Sequence, residues 1–305
     1  MLTIHEQSIE RACCSLEGLS VGDTLGNNFN VLQEYTLEML ETRSLPGVPW
    51  GYTDDTNMAL SIVACLARHQ KIDQDWLAHS FAEHFDLNRH YGVGMYRLLE
   101  QIKAGKPWSK EVNKLFYGTG SYGNGGAMRI APLGAYFADD LYLTVQQAKL
   151  SAEVTHAHPE GIAGTVAVAV AAALAWQFKQ NNFLPAPAEF LYQLLPYVPD
   201  SEVKAGITQA RALPPETTSI QAAKILGSGY AVSAQDTVPF AVWCAARNLT
   251  NYEEALWFTI GGLGDVDTTC AMVGGIVVMY AGLENIPATW RASREPLPAW
   301  PFDQS

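Results

Sequence analysis

The sequence predicts an all-α protein built around a core of Ala-, Val- and Gly-rich helices. Three observations carry this. Apolar residues recur at helical spacing through most of the chain, no segment sustains the alternation of a half-buried strand, and the apolar runs begin at Ser, Thr, Asp or Asn residues suited to helix caps. With 305 residues, 48% of them hydrophobic, the chain can bury a sizeable core, and residues 1–305 are read as one domain.

The elements follow in order. Ile4 to Leu25 has helical spacing, with Ile9, Ala12, Cys13, Leu16 and Leu19 on one side, and its small residues Gly18, Ser20 and Gly22 permit close helix contact. Asn27 to Tyr35 reads as a polar turn. Pro46 and Pro49 precede Gly51-Tyr52-Thr53-Asp54-Asp55-Thr56, a loop that ends on a helix N-terminus capped by Thr53 or Asp54. That helix continues to His69. Asp73 to Phe85 and Met95 to Lys103 are further helices, separated by a loop from Asp86 to Gly94. Thr144 to Glu153 is helical, and Thr155-His156-Ala157-His158-Pro159 interrupts it. The next run, Gly161 to Phe178, is apolar for about five turns; its Ala-rich composition and lack of basic flanks on the N-terminal side read as a buried central helix, not a membrane span. Asn181 to Pro199 carries four prolines and is the best candidate linker. Helices follow at Glu202 to Ala212, Thr218 to Leu226, Thr237 to Asn248 and Glu253 to Ile260, and an apolar run from Cys270 to Leu283 comes last.

A net charge of −12 argues against a general nucleic-acid or anionic-membrane surface. Cys13, Cys14, Cys65, Cys244 and Cys270 are odd in number, sit in apolar settings and match no zinc or redox spacing. They read as reduced thiols, and the polar N-terminus lacks signal-peptide character, so the expected location is the cytoplasm.

Two oxygen-rich clusters stand out. Thr53-Asp54-Asp55-Thr56 opens one helix, and Gly264-Asp265-Val266-Asp267-Thr268-Thr269 precedes another apolar run. Each alone is a helix start whose carboxylates answer the helix dipole. If the two face each other, their repulsion calls for a cation, and hard oxygen ligands suit Mg²⁺, Mn²⁺ or Ca²⁺. Between them lies Gly118-Thr119-Gly120-Ser121-Tyr122-Gly123-Asn124-Gly125-Gly126-Ala127-Met128-Arg129, where glycine frees the backbone and exposes amides that suit a diphosphate. It is neither a P-loop nor a dinucleotide fingerprint, since no Gly-Lys-Ser/Thr follows and no strand leads in. The histidines of the Thr155–Pro159 stretch read as cap or hydrogen-bonding residues before metal ligands.

Together these stretches resemble the ADP-ribosylglycohydrolase family from Gly22 to about Trp290. Gly22-Asp23-Thr24-Leu25-Gly26 is similar to its first Gly-Asp box, the two acidic clusters to its metal boxes, Ser121 to Arg129 with Pro132 to its phosphate- and ribose-binding loop, and Thr155 to Pro159 to its Thr-His box. The resemblance implies a compact orthogonal multi-helix domain with two Mg²⁺ (or Mn²⁺) in a central cleft. It implies metal ligation by Thr53, Asp54, Asp55, Asp265, Asp267 and Thr268, and an ADP-ribose site at Ser121, Tyr122, Gly123, Asn124, Gly125 and His156. Many members place a Glu where this chain has Asn30; Glu34-Tyr35 resembles the Glu-aromatic pair of arginine-specific members. The implied reaction is hydrolysis of the bond between the distal ribose and a modified side chain, arginine-linked by preference, on an ADP-ribosylated protein or an ADP-ribose-containing small molecule. Asp55 or Asp267 would take the proton of the attacking water, with Glu34 assisting. A di-metal hydrolase of another ADP-ribosyl linkage, a free ADP-ribose derivative or a phosphate ester, and a non-catalytic ADP-ribose-binding protein, are the rival readings.

Overall fold

A computed structural model describes residues 3–30 and 33–302, with residues 33–35 described by their backbone alone. Seventeen α-helices and no strands lie among the described residues. They are α1 (Ile4–Asn27), α2 (Gln33–Thr42), α3 (Asp54–His69), α4 (Gln74–Glu83), α5 (Val93–Lys103), α6 (Trp108–Val112), α7 (Gly125–Met128), α8 (Ala131–Tyr136) and α9 (Leu141–Glu153). Then come α10 (Pro159–Gln180), α11 (Pro187–Leu194), α12 (Glu202–Arg211), α13 (Ser219–Leu226), α14 (Ala234–Arg247), α15 (Tyr252–Ile260), α16 (Val266–Ala281) and α17 (Ala288–Ser293). The absence of period-2 patterning agrees with this all-α outcome; the described residues hold only two isolated β-bridges, Trp50 with Arg294 and Gly123 with Ser233.

Two helices, α10 and α16, are buried on nearly every side, and the buried apolar residues around them form one continuous cluster. The most extensive packing joins α1 to α16. A Cβ on Gly22 would lie 2.2 Å from the carbonyl oxygen of Cys270, one on Gly18 2.5 Å from that of Gly274, and one on Gly26 2.6 Å from that of Val266. Glycine every fourth residue thus lets one backbone lie directly on the other. Ser15 Oγ and Tyr252 Oη complete the seam, donating to the carbonyls of Gly275 and Gly18 at 2.9 and 2.5 Å. The same device seats α8 on α10, where a Cβ on Gly134 would lie 2.0 Å from the Ala169 carbonyl oxygen. α10 is long and apolar enough to cross a membrane by composition, yet 83% of its apolar window is buried inside the protein, as expected of a core helix.

Several boundaries differ from the sequence reading. The turn expected as far as Tyr35 gives way at Gln33 to α2. The proline-rich stretch expected to be a linker instead contains α11 and a 3₁₀ turn at Leu195–Tyr197; Pro187 sits in the first turn, where its missing N–H costs nothing, and Phe190, Leu191 and Leu194 are buried. α14 begins at Ala234, ahead of the expected Thr237, and retains Pro239 inside it, against which Gly206 of α12 packs. The five cysteines are all free, three buried and two half-buried.

A side chain at Gly22 would drive α1 away from α16. Gly22→Ala is expected to lower stability by roughly 3 kcal/mol, the upper range for overpacking a rigid core, while Gly47→Ala, with nothing within 4 Å, should change it by less than about 0.5 kcal/mol. Denaturant unfolding of the two variants checks this; equal values would contradict the seam.

Candidate active site

The seam between α1 and α16 brings Asp23 of the first helix beside Asp267 at the start of the second, and α3 points its own N-terminus at the same place. Thr53 caps α3 with extended backbone, as one of the two expected candidates. Asp23 reaches across from α1 and caps α3 a second time: its carboxylate accepts from Thr53 N at 3.0 Å, Thr56 N at 3.2 Å, Thr53 Oγ1 at 2.8 Å and Thr56 Oγ1 at 2.5 Å. Thr53 Oγ1 also lies 3.0 Å from Asp55 Oδ2. Asp23 is fully buried with both oxygens engaged, so it orients Thr53 and Asp55 while adding a negative charge beneath them. The sequence reading quoted its Gly-Asp box without giving Asp23 a role; the flanking glycines, which only a tight helix contact requires, were the available signal.

The loop bearing Thr53 is braced from the C-terminal side. Tyr52 N donates to Glu295 Oε1 at 2.7 Å, Arg89 pairs with Glu295 and lies 3.6 Å over the Tyr52 ring, and Trp50 is buried edge-on to Trp290. On the other side, Gly264 adopts φ +87°, which only glycine takes easily, and its missing side chain makes room for the Ser228 carbonyl. That turn aims Asp265 and Asp267 inward, and Asn124 Nδ2 donates to Asp265 Oδ2 at 2.7 Å.

A cleft of about 770 Å³ opens over this cluster. Asp54, Asp55, Asp265, Asp267 and Thr268 line it, together with Ser121, Tyr122, Gly123, Asn124, Gly125 and His156. Two acidic stretches far apart in sequence and the intervening glycine-rich loop therefore meet in one cavity. Of the expected site residues, Thr53 stands behind the wall, fully buried. Glu34 lies in α2, and its side chain is outside the described residues. Asn30 accepts from Val266 N at 3.2 Å, capping the start of α16.

The glycine-rich loop differs in detail from the expectation of freed, exposed amides. Only Gly118 and Gly120 have positive φ. Gly123 N turns inward to Ser121 Oγ at 3.2 Å and Asn124 N to the Val232 carbonyl at 3.4 Å, while the amides of Gly125 and Gly126 open α7. The later glycines are there for room: a Cβ on Gly125 would lie 2.8 Å from His156 Cε1 and one on Gly126 2.5 Å from Thr165 Oγ1. His158 caps α10, its Nδ1 accepting from Glu160 N at 3.1 Å, in line with the cap reading of that histidine.

The electrostatics are those of a cation site. Carboxylate oxygens of Asp23, Asp55 and Asp267 lie within 4.8 Å of one another. Lost hydration raises the pKa of Asp23, Asp54, Asp55 and Asp265, and repulsion between neighbouring carboxylates adds to the rise; at Asp23 the bonds from Thr53 and Thr56 oppose it. Among the described residues no ion pair reaches these carboxylates, and Asp55 Oδ1 is buried with no hydrogen-bond partner. An all-oxygen donor set with an orphaned carboxylate oxygen fits a hard divalent cation.

This geometry agrees with what comparison with known proteins finds. Residues 5–300 match the family model of the ADP-ribosylglycohydrolases. The chain belongs to that family. It is accordingly a hydrolase acting on glycosyl bonds. It is 30% identical to ADP-ribosylhydrolase ARH3 of Homo sapiens over 95% of this chain and 90% of that protein. It is 23% identical to ADP-ribosylarginine hydrolase Tri1 of Pseudomonas putida (strain GB-1), over 93% and 74% respectively. A solved structure titled ADP-ribosylglycohydrolase-related protein complex shares the fold with a TM-score of 0.64 at 24% identity, covering 95% of this chain and 94% of the other.

Because these aspartates have raised pKa values in the folded state, that state holds protons the unfolded chain releases near pH 4. Their contribution to stability is full below about pH 4 and is lost as pH rises through the raised values. A bound divalent cation takes the place of those protons. The increase in unfolding temperature on adding Mg²⁺ or Mn²⁺ is expected to be larger at pH 8 than at pH 5 and absent in Asp55→Asn. An increase that is equal at both pH values, or unchanged in that variant, would contradict a carboxylate-held cation.

Proposed function

We propose that this protein releases ADP-ribose from a modified protein side chain by metal-dependent hydrolysis at the distal ribose. The observation that carries the reading is the single cleft shared by four aspartates and the Ser121–Gly125 loop with His156. Asp54, Asp55, Asp265 and Asp267, with the hydroxyls of Thr53 and Thr268, are the candidates to hold two Mg²⁺ or Mn²⁺. Bound there, the ions would supply charge stabilisation and a more acidic water. Asp55, with one oxygen free of partners, is the foremost candidate to take the proton of the attacking water, and Asp267 the second. As the water oxygen bonds to the anomeric carbon and the bond to the leaving group breaks, positive charge builds on the ribose. The buried negative field of the aspartates favours that charge. The loop's small residues and His156 would seat the diphosphate and its riboses.

Arginine-linked ADP-ribose is the favoured substrate. Glu34-Tyr35 supports it, as does the engagement of Asn30 with Val266, which leaves Glu34 as the next carboxylate along the chain to assist a guanidine leaving group. A second reading, another linkage such as serine, is favoured by the higher identity to the ARH3 proteins, whose names specify no arginine.

Turnover on arginine-, serine- and aspartate-linked ADP-ribose separates the readings. Release of free ADP-ribose, fastest from arginine, is the expected result; release of AMP would mean pyrophosphate cleavage instead. Glu34→Gln should slow turnover by at least about tenfold with metal still bound. Gly125→Val, which places bulk against His156, should weaken ADP-ribose binding, and isothermal calorimetry showing an unchanged affinity would remove the loop from the site.

A further inference from the structure

Arg129 is completely buried, and no carboxylate pairs with it among the described residues. Its guanidinium lies 4.5 Å over the Phe81 ring. One terminal nitrogen is 3.3 Å from Met58 Sδ; the other donates to the Ser151 carbonyl at 3.3 Å and to Thr155 Oγ1 at 2.7 Å. Desolvation lowers its pKa, to about 9, which leaves it cationic at neutral pH. A cation held so deep, with no carboxylate in contact and only the field of Asp54 to favour its charge, calls for a role beyond packing.

The role can be followed through the hydrogens. Arg129 has N–H groups to give and accepts nothing, so it must be the donor to Thr155 Oγ1. The Thr155 hydroxyl then has its own hydrogen to place. Among the described residues the one acceptor bonded to it is His156 Nδ1, at 2.8 Å. Nδ1 therefore accepts, and the proton of a neutral imidazole sits on Nε2. Burial and the nearby Arg129 charge both hold His156 neutral, its pKa lowered to about 3. Among the described residues Nε2 has no hydrogen-bond partner: it sits by Gly123 and Gly125, in the wall of the cleft.

We infer that Arg129 and Thr155 fix the tautomer of His156, so that its Nε2–H is a permanent hydrogen-bond donor to an oxygen of the ligand in the cleft. Arg129 and Thr155 are positioning residues, acting on the ligand through His156. The inference rests on the reading of this loop as the ADP-ribose site for the ligand's identity, though not for the tautomer. The recognised group is an acceptor, such as a phosphate or sugar oxygen. An imidazole free to invert its tautomer would offer that atom a lone pair part of the time; this one cannot.

The test is two-bond ¹H–¹⁵N spectroscopy of protein labelled at histidine, with His156 assigned by its loss in His156→Gln. The free wild-type protein is expected to show one neutral Nε2–H pattern for His156 from pH 6 to pH 8. Thr155→Val should convert it to a mixture or to the Nδ1–H form and weaken ADP-ribose binding about tenfold, and Thr155→Ser should restore both. Arg129→Met, which frees the Thr155 hydroxyl, should loosen the tautomer likewise. A cationic or Nδ1–H His156 in the wild-type protein, or an unaltered pattern in Thr155→Val, overturns the inference. An unaltered pattern in Arg129→Met removes Arg129 from it. If ADP-ribose perturbs no signal while the wild-type tautomer is as expected, the ligand reading fails and the tautomer assignment stands.

Discussion

The contact of α1 with α16 governs the rest of the molecule. Glycines at every fourth position of α1 let its backbone meet the carbonyls of α16, and with them come two carboxylates that would otherwise repel, Asp23 and Asp267. Packing of this kind tolerates little adjustment, so the two charges cannot drift apart to relieve themselves. Part of the opposition is answered locally: the amides and hydroxyls at the N-terminus of α3 surround Asp23, and the dipole of that helix is oriented to favour negative charge. The remainder centres on Asp55, whose Oδ1 has no hydrogen-bond partner among the described residues. Hydrolysis of a glycosyl bond passes through a positively charged sugar, and a fixed, acidic pocket suits such a charge before it forms.

The same cleft also carries hydrogen-bond donors, on a protein of net charge −12. Its wall includes the neutral His156, the side chains of Arg97 and Lys114 and a loop of small residues. Asn124 joins the two regions, since its side chain sits on the loop and bonds to Asp265 and Thr237. A ligand that shifted the loop would thereby pull on the acidic cluster.

Much of this could be read in the sequence, for identifiable reasons. Helical periodicity and the missing alternation fixed the fold class, and the Thr/Asp clusters declared themselves because oxygen-rich residues at two apolar helix starts are hard to explain singly. Asp23 takes no role from spacing alone: its meaning depends on Thr53 and Thr56, some thirty residues on, and spacing along one helix does not report contacts to another. The stretch from Asn181 to Pro199 misled because proline density signals a linker only when the residues between are polar, and Phe190, Leu191 and Leu194 are not. The Gly123–Gly126 glycines were attributed to backbone freedom, whereas the neighbours that demand their size, His156 and Thr165, come from elsewhere in the chain.

The order in which these parts leave the ribosome has a consequence for the nascent protein. Ser15 and Gly275, partners in the central seam, are 260 residues apart. An emerging chain has α1, with its row of glycines and apolar neighbours, long before α16 exists to cover it. Contacts so distant along the chain form late and slowly, and until they form, the exposed stripe on α1 is open to the wrong helix or to a second molecule. Neither the core nor the acidic centre can therefore close before α16 (Val266–Ala281) has emerged.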